Sequence, residues 1–145
     1  MTLLVRRLKP GAALPARATS QSAGYDLCAC ISEPLPVPAG QTVLVPTGLA
    51  FALPEGSAGF VYARSGLGVR HGLAPANCVG VIDADYRGEV LVGLHNHSDT
   101  DYTIKPGERI AQLVVAPVWT PPVEECAVLP ETDRGAGGFG STGQL

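Results

Sequence analysis

Short apolar runs separated by proline and glycine characterise the whole chain, and within them apolar and polar residues alternate. Such alternation is typical of β-strands with one buried face, whereas a helical period of 3.6 residues is not sustained anywhere in the sequence. The pattern predicts strands at residues 3–8, after Gly24, in short pieces from Pro34 onward, at 58–63 and at 108–119. We therefore expect an all-β protein with little helix.

One short helix is predicted to begin within residues 63–72. Arg64 and Ser65 would open its first turn, where exposed backbone N–H groups are suited to holding an anion. An ordinary strand-to-helix connection is the alternative interpretation of this segment.

Residues 77–94 are predicted to form two apolar strands joined by a polar hairpin, because turn-forming residues separate two runs rich in Val and Leu. Four polar or ionisable residues would lie near its tip: Asp83, Asp85, Tyr86 and Arg87. Asp83 directly follows the apolar run VGVI, so it is expected at the edge of a cavity. A partly desolvated carboxylate there can serve as a general base.

Other polar residues are open to more than one interpretation. Asp26 is predicted at the start of a strand, where a turn or edge carboxylate is an alternative to a functional one. His95 and His97 alternate along a strand and share a face, but a third ligand with zinc-site spacing is not evident.

Length and composition indicate one domain over residues 1–145 that is rich in turns, with 18 glycines, 13 prolines and 46% hydrophobic residues. Residues 120–145, which include Pro121 and Pro122, are expected to form a loose tail. A net charge of -3 argues against a nucleic-acid or membrane-surface binder, since either needs a basic face. The acid-free N-terminus leaves a transit peptide open as an alternative.

The four cysteines lie in apolar stretches without paired C-x-x-C spacing: Cys28, Cys30, Cys78 and Cys126. Buried thiols in a reducing cytoplasm are therefore expected rather than disulfides or a metal site.

Residues 134–143, RGAGGFGSTG, cannot build a core, yet they are rich in groups that suit a nucleotide. Glycine leaves N–H groups uncovered, Arg134 adds a forked cation, and Ser141 and Thr142 add hydroxyl donors for phosphate. Phe139 is the one ring that could lie over a flat base. The segment reads as a lid, with a disordered terminus as the alternative. The spacing of a P-loop fails because serine replaces its lysine and no helix can follow.

Five short blocks occur in order along the chain: AGYDL at 23–27, RSGLG at 64–68, NCVGVIDADYRGEV at 77–90, GERIAQLV at 107–114, and RGAGGFGSTG at 134–143. In these blocks the sequence resembles the trimeric all-β deoxyuridine triphosphatases, or dUTP diphosphatases, over nearly its whole length. The resemblance implies a jelly-roll-like fold of the β-clip type and a homotrimer whose active sites are shared by three subunits. A C-terminal arm would close each site.

The activity implied by the resemblance is Mg²⁺-dependent cleavage of dUTP to dUMP and pyrophosphate, which limits uracil in DNA and supplies dUMP for thymidylate synthesis. Asp83 would orient and activate the attacking water and contact the sugar 3'-hydroxyl. Tyr86 would pack on the deoxyribose, Asn77 would read the uracil edge with the hairpin backbone, and Val81 would also contact substrate. Asp26 would act on the metal through bound water.

The phosphate chain would be held by residues of two further blocks, namely Arg64, Ser65, Gly66 and Gln112. The resemblance also implies that Phe139 covers the uracil and that the remaining arm residues bind the outer phosphates: Arg134, Gly140, Ser141 and Thr142. The sequence departs from the family at Ala63, where proline is frequent, and at Ala136, where a polar residue is common.

Two competing functions are distinguishable from the sequence. The dCTP deaminases share the fold, but they place a catalytic glutamate ten residues after the hairpin aspartate, where this chain has Gly93. A catalytically inactive nucleotide-binding relative is the other alternative, and the presence of Asp83, Tyr86 and the arm disfavours it.

Overall fold

The computed structural model of the protein describes residues 2–138, and within them the chain folds into eleven strands and one short helix. The strands are β1 (Leu4–Arg7), β2 (Tyr25–Cys28), β3 (Leu35–Val37), β4 (Thr42–Pro46), β5 (Leu49–Ala52), β6 (Ser57–Tyr62), β7 (Leu73–Pro75), β8 (Gly80–Ile82), β9 (Leu91–Asn96), β10 (Tyr102–Ile104) and β11 (Arg109–Pro117), and the helix is α1 (Ser65–His71). The predicted all-β class, the short helix and the last long strand are confirmed.

Antiparallel pairing organises the strands into four small sheets, with the orders β2-β11-β6-β8, β4-β9-β7, β1-β5 and β10-β3. One face of these sheets is apolar and closes on a common core. Its fully buried side chains include Leu27, Leu49, Leu94, Ile104 and Leu113. The core therefore draws residues from all four sheets, as expected for strands that each bury one face.

The predicted hairpin at residues 77–94 is wrong. β8 pairs with β6, whereas β9 pairs with β4 and β7, so the two strands belong to different sheets. The intervening polar segment crosses from one sheet to the other. Alternation and turn residues reveal strands, but they do not reveal which strand lies beside which, and β7 (Leu73–Pro75) is too short to stand out in the sequence.

Burial of all four thiols was also a wrong prediction. All four cysteines are free, but Cys78 and Cys126 are exposed, while Cys28 and Cys30 are half-buried. Cys78 occupies a turn, in which its N–H donates to the Pro75 carbonyl at 2.9 Å, and its φ of 63° lies in the left-handed region that few residues other than glycine adopt. Burial raises the pKa of the Cys28 thiol.

The tail leaves the body of the protein after β11. The Val118 N–H donates to the Gly56 carbonyl at 2.9 Å, and beyond it Trp119 and Val123 are fully exposed. Within residues 119–138 the hydrogen bonds are local to the tail, for example from Arg134 Nε to the Gly137 carbonyl at 2.8 Å. This part of the chain therefore does not pack on its own domain. Across residues 2–138, α1 is the only helix and is far too short to cross a membrane.

Candidate active site

A cavity of about 290 Å³ opens between β8 and β9 and collects four of the predicted site residues, Asn77, Val81, Asp83 and Tyr86. These four residues are called the β8 cluster below. Their side chains are exposed, which leaves them accessible to a ligand. The β8 cluster thus joins a carboxylate, an amide and an aromatic ring on one wall of a single cavity.

The fold positions Asp83 at the end of a strand that is anchored on one side only. Ile82 is buried, so β8 is held to the core, and the next residue emerges at the cavity rim. A turn follows at once, in which the Tyr86 N–H donates to the Asp83 carbonyl at 3.1 Å. The cavity-edge position predicted for Asp83 is therefore confirmed, although the carboxylate is more exposed than the sequence suggested.

Local contacts fix the ring of Tyr86. Its hydroxyl donates to the Glu89 carbonyl at 3.1 Å, and a Cβ at Gly88 would collide with the same hydroxyl, so only glycine fits beneath the ring. Arg87 Nη1 donates to the carbonyls of Ala84 at 2.7 Å and Tyr86 at 2.9 Å. The loop that carries the ring is thus preorganised.

A second group of polar side chains lies on β2, β11 and the start of α1. Asp26 accepts a bond from Arg64 Nε to Oδ1 at 2.7 Å and one from Arg109 Nη1 to Oδ2 at 3.1 Å. Gln112 lies directly opposite Asp26 in the pairing of β11 with β2. These four residues are called the arginine cluster.

Besides Arg64, three predicted phosphate-binding residues lie in the arginine cluster or next to it. Gln112 Nε2 donates to the Ala63 carbonyl at 2.9 Å, and its side chain fills the space where a Cβ at Gly24 would lie. Ser65 and Gly66 follow Arg64 at the start of α1, where Arg64 supplies no side-chain cap to the helix. Their N–H groups therefore remain available for another acceptor.

A separate cavity of about 290 Å³ lies beside the arginine cluster. Its polar and charged lining residues are Arg64, Arg70, His71, Tyr102, Glu108 and Arg109. Tyr102 donates its hydroxyl to Glu108 Oε1 at 2.5 Å. Burial, reinforced by this bond, raises the pKa of Tyr102 to about 12, so the phenol remains a donor.

Strand register separates Asp83 of the β8 cluster from the arginine cluster within one chain. Gln112 lies opposite Tyr62 of β6, whereas Ile82 lies opposite Gly59 of the same strand. Asp83 continues one residue past Ile82, so four residue steps, about 13 Å at 3.3 Å per residue, separate the two levels along the strand. The predicted site residues are therefore brought together in two groups and not in one.

Residues of the predicted arm lie apart from both groups. Arg134 is exposed, and its Nε donates to the Gly137 carbonyl within the tail. Phe139, Gly140, Ser141 and Thr142 lie outside the described residues.

Few side chains in residues 2–138 are placed so that they could bind a metal ion. Among residues 2–138, three or more His, Cys, Asp or Glu side chains do not converge at any point. His95 and His97 do share a face, with ring centroids 4.4 Å apart, and Thr42 Oγ1 lies 2.9 Å from His95 Nδ1. Each oxygen of Asp26 contacts one guanidinium and retains a lone pair, which fits a bond from a metal-bound water better than direct coordination.

Arg109 was not predicted as a site residue, although it lies in the GERIAQLV block. Arg109 and Gln112 are three residues apart, which places them on opposite faces of a regular strand. The sequence therefore did not indicate that their side chains lie on the same face. A signal was nevertheless present, because Arg109 belongs to the same block as the predicted site residue Gln112.

Comparisons with known proteins indicate which class of protein this chain belongs to. The dUTPase family model matches residues 11–143. The chain is 48% identical over 143 residues to the deoxyuridine 5'-triphosphate nucleotidohydrolase of Syntrophotalea carbinolica, covering 99% of this chain and 97% of that one. It is 46% identical over 150 residues to the enzyme of the same name from Maricaulis maris, covering 99% of each.

Solved structures agree with the sequence comparisons. A mutant dUTPase of Staphylococcus bacteriophage 80alpha with dUpNHpp matches at a TM-score of 0.89 and 29% identity, covering 98% of each chain. A mutant dUTPase from phage phi11 of S. aureus, described with a structural Mg(II) ion, matches at a TM-score of 0.79 and 28% identity, over 88% of this chain and 98% of that one.

The chain therefore belongs to the dUTPase family. The family membership that the five blocks indicated is confirmed, as are the fold and the class of enzyme, a hydrolase.

Proposed function

We propose that the protein hydrolyses dUTP to dUMP and pyrophosphate, with the β8 cluster binding the nucleoside and the arginine cluster binding the phosphate chain. The observation that carries the proposal is the cavity that presents Asp83 beside Asn77 and Tyr86, in a chain of the dUTPase family. In this reaction a water attacks the α-phosphate and the pyrophosphate leaves.

Recognition of uracil is assigned to the backbone of β8 and to Asn77. β8 is the last strand of its sheet and pairs with β6 on one side only, so its other edge offers unpaired N–H and C=O groups to the cavity. These groups complement the N3–H donor and the carbonyl acceptors of uracil. In cytosine the N3–H donor is replaced by an acceptor, and one carbonyl acceptor is replaced by a donor. A site that pairs with uracil therefore leaves buried groups unpaired against cytosine, which can favour uracil about 10⁴-fold.

Selection of the deoxyribose is assigned to Tyr86. Its hydroxyl donates to the Glu89 carbonyl, which holds the ring beside the cavity. A ribose 2'-hydroxyl packed against this ring would meet an apolar surface without an acceptor, and burying an unpaired hydroxyl is unfavourable. Val81 extends the same wall, with an exposed side chain on β8.

Asp83 is assigned as the catalytic residue that orients the attacking water and accepts its proton. Its carboxylate is exposed at the cavity rim, where water has access. The chain holds no competing base at Gly93, which lines the same cavity without a side chain that could move a proton. Deamination of cytosine is therefore disfavoured.

The phosphate chain is assigned to Arg64, Ser65, Gly66 and Gln112. Arg64 is a permanent cation, and the first amides of α1 are not capped by a side chain. Mg²⁺, when bound to the triphosphate, would neutralise charge on the phosphate oxygens and on the leaving group. Asp26 would hold this ion through a bound water.

A homotrimer with shared sites is supported by the separation of Asp83 from the arginine cluster. The α-phosphate must reach Asp83 while its neighbouring phosphates reach Arg64, yet about 13 Å along the strand, and the width of β6, separate their levels. The α-phosphate is bonded through one oxygen to the next phosphorus, so this separation favours a site that two chains build together. The β8 cluster of one subunit would meet the arginine cluster of the next.

The glycine-rich arm, which includes Arg134, Phe139, Gly140, Ser141 and Thr142, would complete the site from a further subunit. The proposal is supported by residues 119–136, which are exposed and do not pack on their own domain. Residues 1–145 would then act as one domain with an exchanged tail. Such an enzyme would limit uracil in DNA and supply dUMP for thymidylate synthesis in the cytoplasm, without nucleic-acid or membrane partners.

The substrate assignment predicts a clear difference among nucleotides. With Mg²⁺ present, we expect rapid release of pyrophosphate from dUTP and feeble release from dCTP, dTTP and UTP, because the edge of β8 and the ring of Tyr86 select both base and sugar. Separate incubations with quantification of pyrophosphate and monophosphate check this. Comparable rates on all four would contradict the proposal, and ammonia released from dCTP would indicate a deaminase.

A further inference from the structure

The loop between β8 and β9, residues 83–90, ends against the short turn between β4 and β5. Glu89 Oε1 accepts the Gly48 N–H at 2.8 Å, although the two residues are 41 positions apart in the sequence. The next residue of the loop makes a second contact, because the Val90 N–H donates to the Leu49 carbonyl at 2.8 Å. A side chain and the adjacent backbone of the loop therefore bind the same turn.

Gly48 is held in place by the body of the protein. Its φ of 68° lies in the left-handed region, and a Cβ at this position would lie 2.8 Å from the side-chain atoms of Ala12 and Cys30. Its carbonyl accepts the Leu8 N–H at 2.8 Å. The position of the buried Gly48 N–H is therefore set by the surrounding strands, and Glu89 supplies the acceptor that it needs.

The peptide group between Glu89 and Val90 connects this turn to the ring of Tyr86. Its N–H donates to the Leu49 carbonyl, and its carbonyl accepts the Tyr86 hydroxyl at 3.1 Å. In a trans peptide the two groups point in opposite directions, so the peptide bridges the turn and the ring. The Glu89 side chain, which also lines the cavity of the β8 cluster, holds the residue that carries this carbonyl.

The contact with Gly48 requires an acceptor at Glu89 and does not require its charge. The only cation paired with this carboxylate is Lys9, whose Nζ lies 3.5 Å from Oε1 and whose side chain is 47% exposed. An exposed ion pair of this kind contributes little to stability, whereas a buried N–H left without an acceptor is unfavourable. Glutamine and alanine at this position should therefore behave differently.

We propose that Glu89 is a positioning residue for nucleoside selection. Its carboxylate anchors the loop to Gly48, and its carbonyl holds the ring of Tyr86 at the place where a ribose 2'-hydroxyl would meet it. The inference rests on the proposed function and adds to it a specificity-determining residue that acts through Tyr86.

The first test compares Glu89→Ala with Glu89→Gln. In Glu89→Ala we expect the ratio of kcat/KM for dUTP to kcat/KM for UTP to fall about tenfold, because one hydrogen bond that holds the loop is lost. Glu89→Gln should keep a ratio within about twofold of the wild type, since the amide oxygen can still accept the Gly48 N–H. Lys9→Gln is the matched control, because it removes the ion pair and leaves the contact with Gly48 intact.

Three outcomes of this comparison would overturn the inference. An unchanged ratio in Glu89→Ala would show that Glu89 does not influence selection. Equal changes in Glu89→Ala and Glu89→Gln would show that charge acts instead of the anchoring contact. Equal losses for dUTP and UTP in Glu89→Ala, with a lowered melting temperature, would indicate a structural role only.

A second test measures the anchor without any nucleotide. Amide hydrogen exchange of the full chain, followed by mass spectrometry, should show faster exchange of residues 83–90 in Glu89→Ala and wild-type exchange in Glu89→Gln. Unchanged exchange in Glu89→Ala would overturn the inference whatever the activity of the variant. If exchange responds as expected but the wild type hydrolyses neither dUTP nor UTP, the anchor stands and the proposed function fails.

Discussion

Replacement of Asp83 by asparagine is expected to lower turnover of dUTP by about 10²- to 10⁴-fold, with affinity for α,β-imido-dUTP within about threefold of the wild type. The amide keeps the size of the carboxylate and some of its hydrogen bonds. It loses the charge that orients the water and the basicity that accepts its proton. Because Asp83 is exposed at the end of β8, the exchange leaves the core intact and should not lower stability.

The matched control for this variant is Asp85→Asn. Asp85 lies two residues further along the same loop and is also exposed, but it does not line the cavity. Steady-state rates and analogue titrations on both variants separate a chemical role from a general effect of charge. Near-normal turnover in Asp83→Asn would exclude this carboxylate as the base.

Deletion of residues 135–145 is expected to reduce turnover by roughly 100-fold while the melting temperature hardly changes. Of the deleted residues, the structure describes 135–138, which end a tail that is exposed from Trp119 to Ala136, so their removal takes little apolar surface from the core. The deleted donors and the ring of Phe139 would matter only when a triphosphate is present. Turnover, melting temperature and mass of the truncated protein beside the intact one check this.

The control for the deletion removes only Gln144 and Leu145, which keeps the whole glycine-rich block. This shorter deletion should retain turnover. If deletion of residues 135–145 dissociates or unfolds the protein, the tail is a structural strap and does not act as a lid.

Local sequence patterns were sufficient to predict several strands and the helix, but not to predict which strands pair with each other. Alternation and proline or glycine turns located β6 and β11 almost to the residue, and a turn-like stretch located α1. The supposed hairpin failed because strand pairing is decided by burial across the whole core, where β9 gains partners on both sides by joining β4 and β7. Sequence neighbours therefore need not be sheet neighbours.

The site shows the same division between local and non-local information. Asp83 could be predicted from the apolar run that precedes it, and Tyr86 from the turn chemistry that follows. Arg109 could not, since the β-bulge that changes its face is a property of the pairing of β11 with β2. The separation of Asp83 from the arginine cluster could not be predicted either, because it depends on the register of β8 and β11 against β6.

Complementation between two inactive variants tests most directly whether two subunits build each site. Asp83→Asn damages only the β8 cluster, and Arg64→Gln damages only the arginine cluster. The two would be co-expressed with different tags, and mixed assemblies isolated by purification on both. Light scattering should give three times the 14.9 kDa mass of one chain.

In a cyclic trimer each mixed assembly contains one site whose two clusters are both intact, so about one third of wild-type dUTP turnover should return. Turnover no higher than that of either variant alone would contradict the shared site.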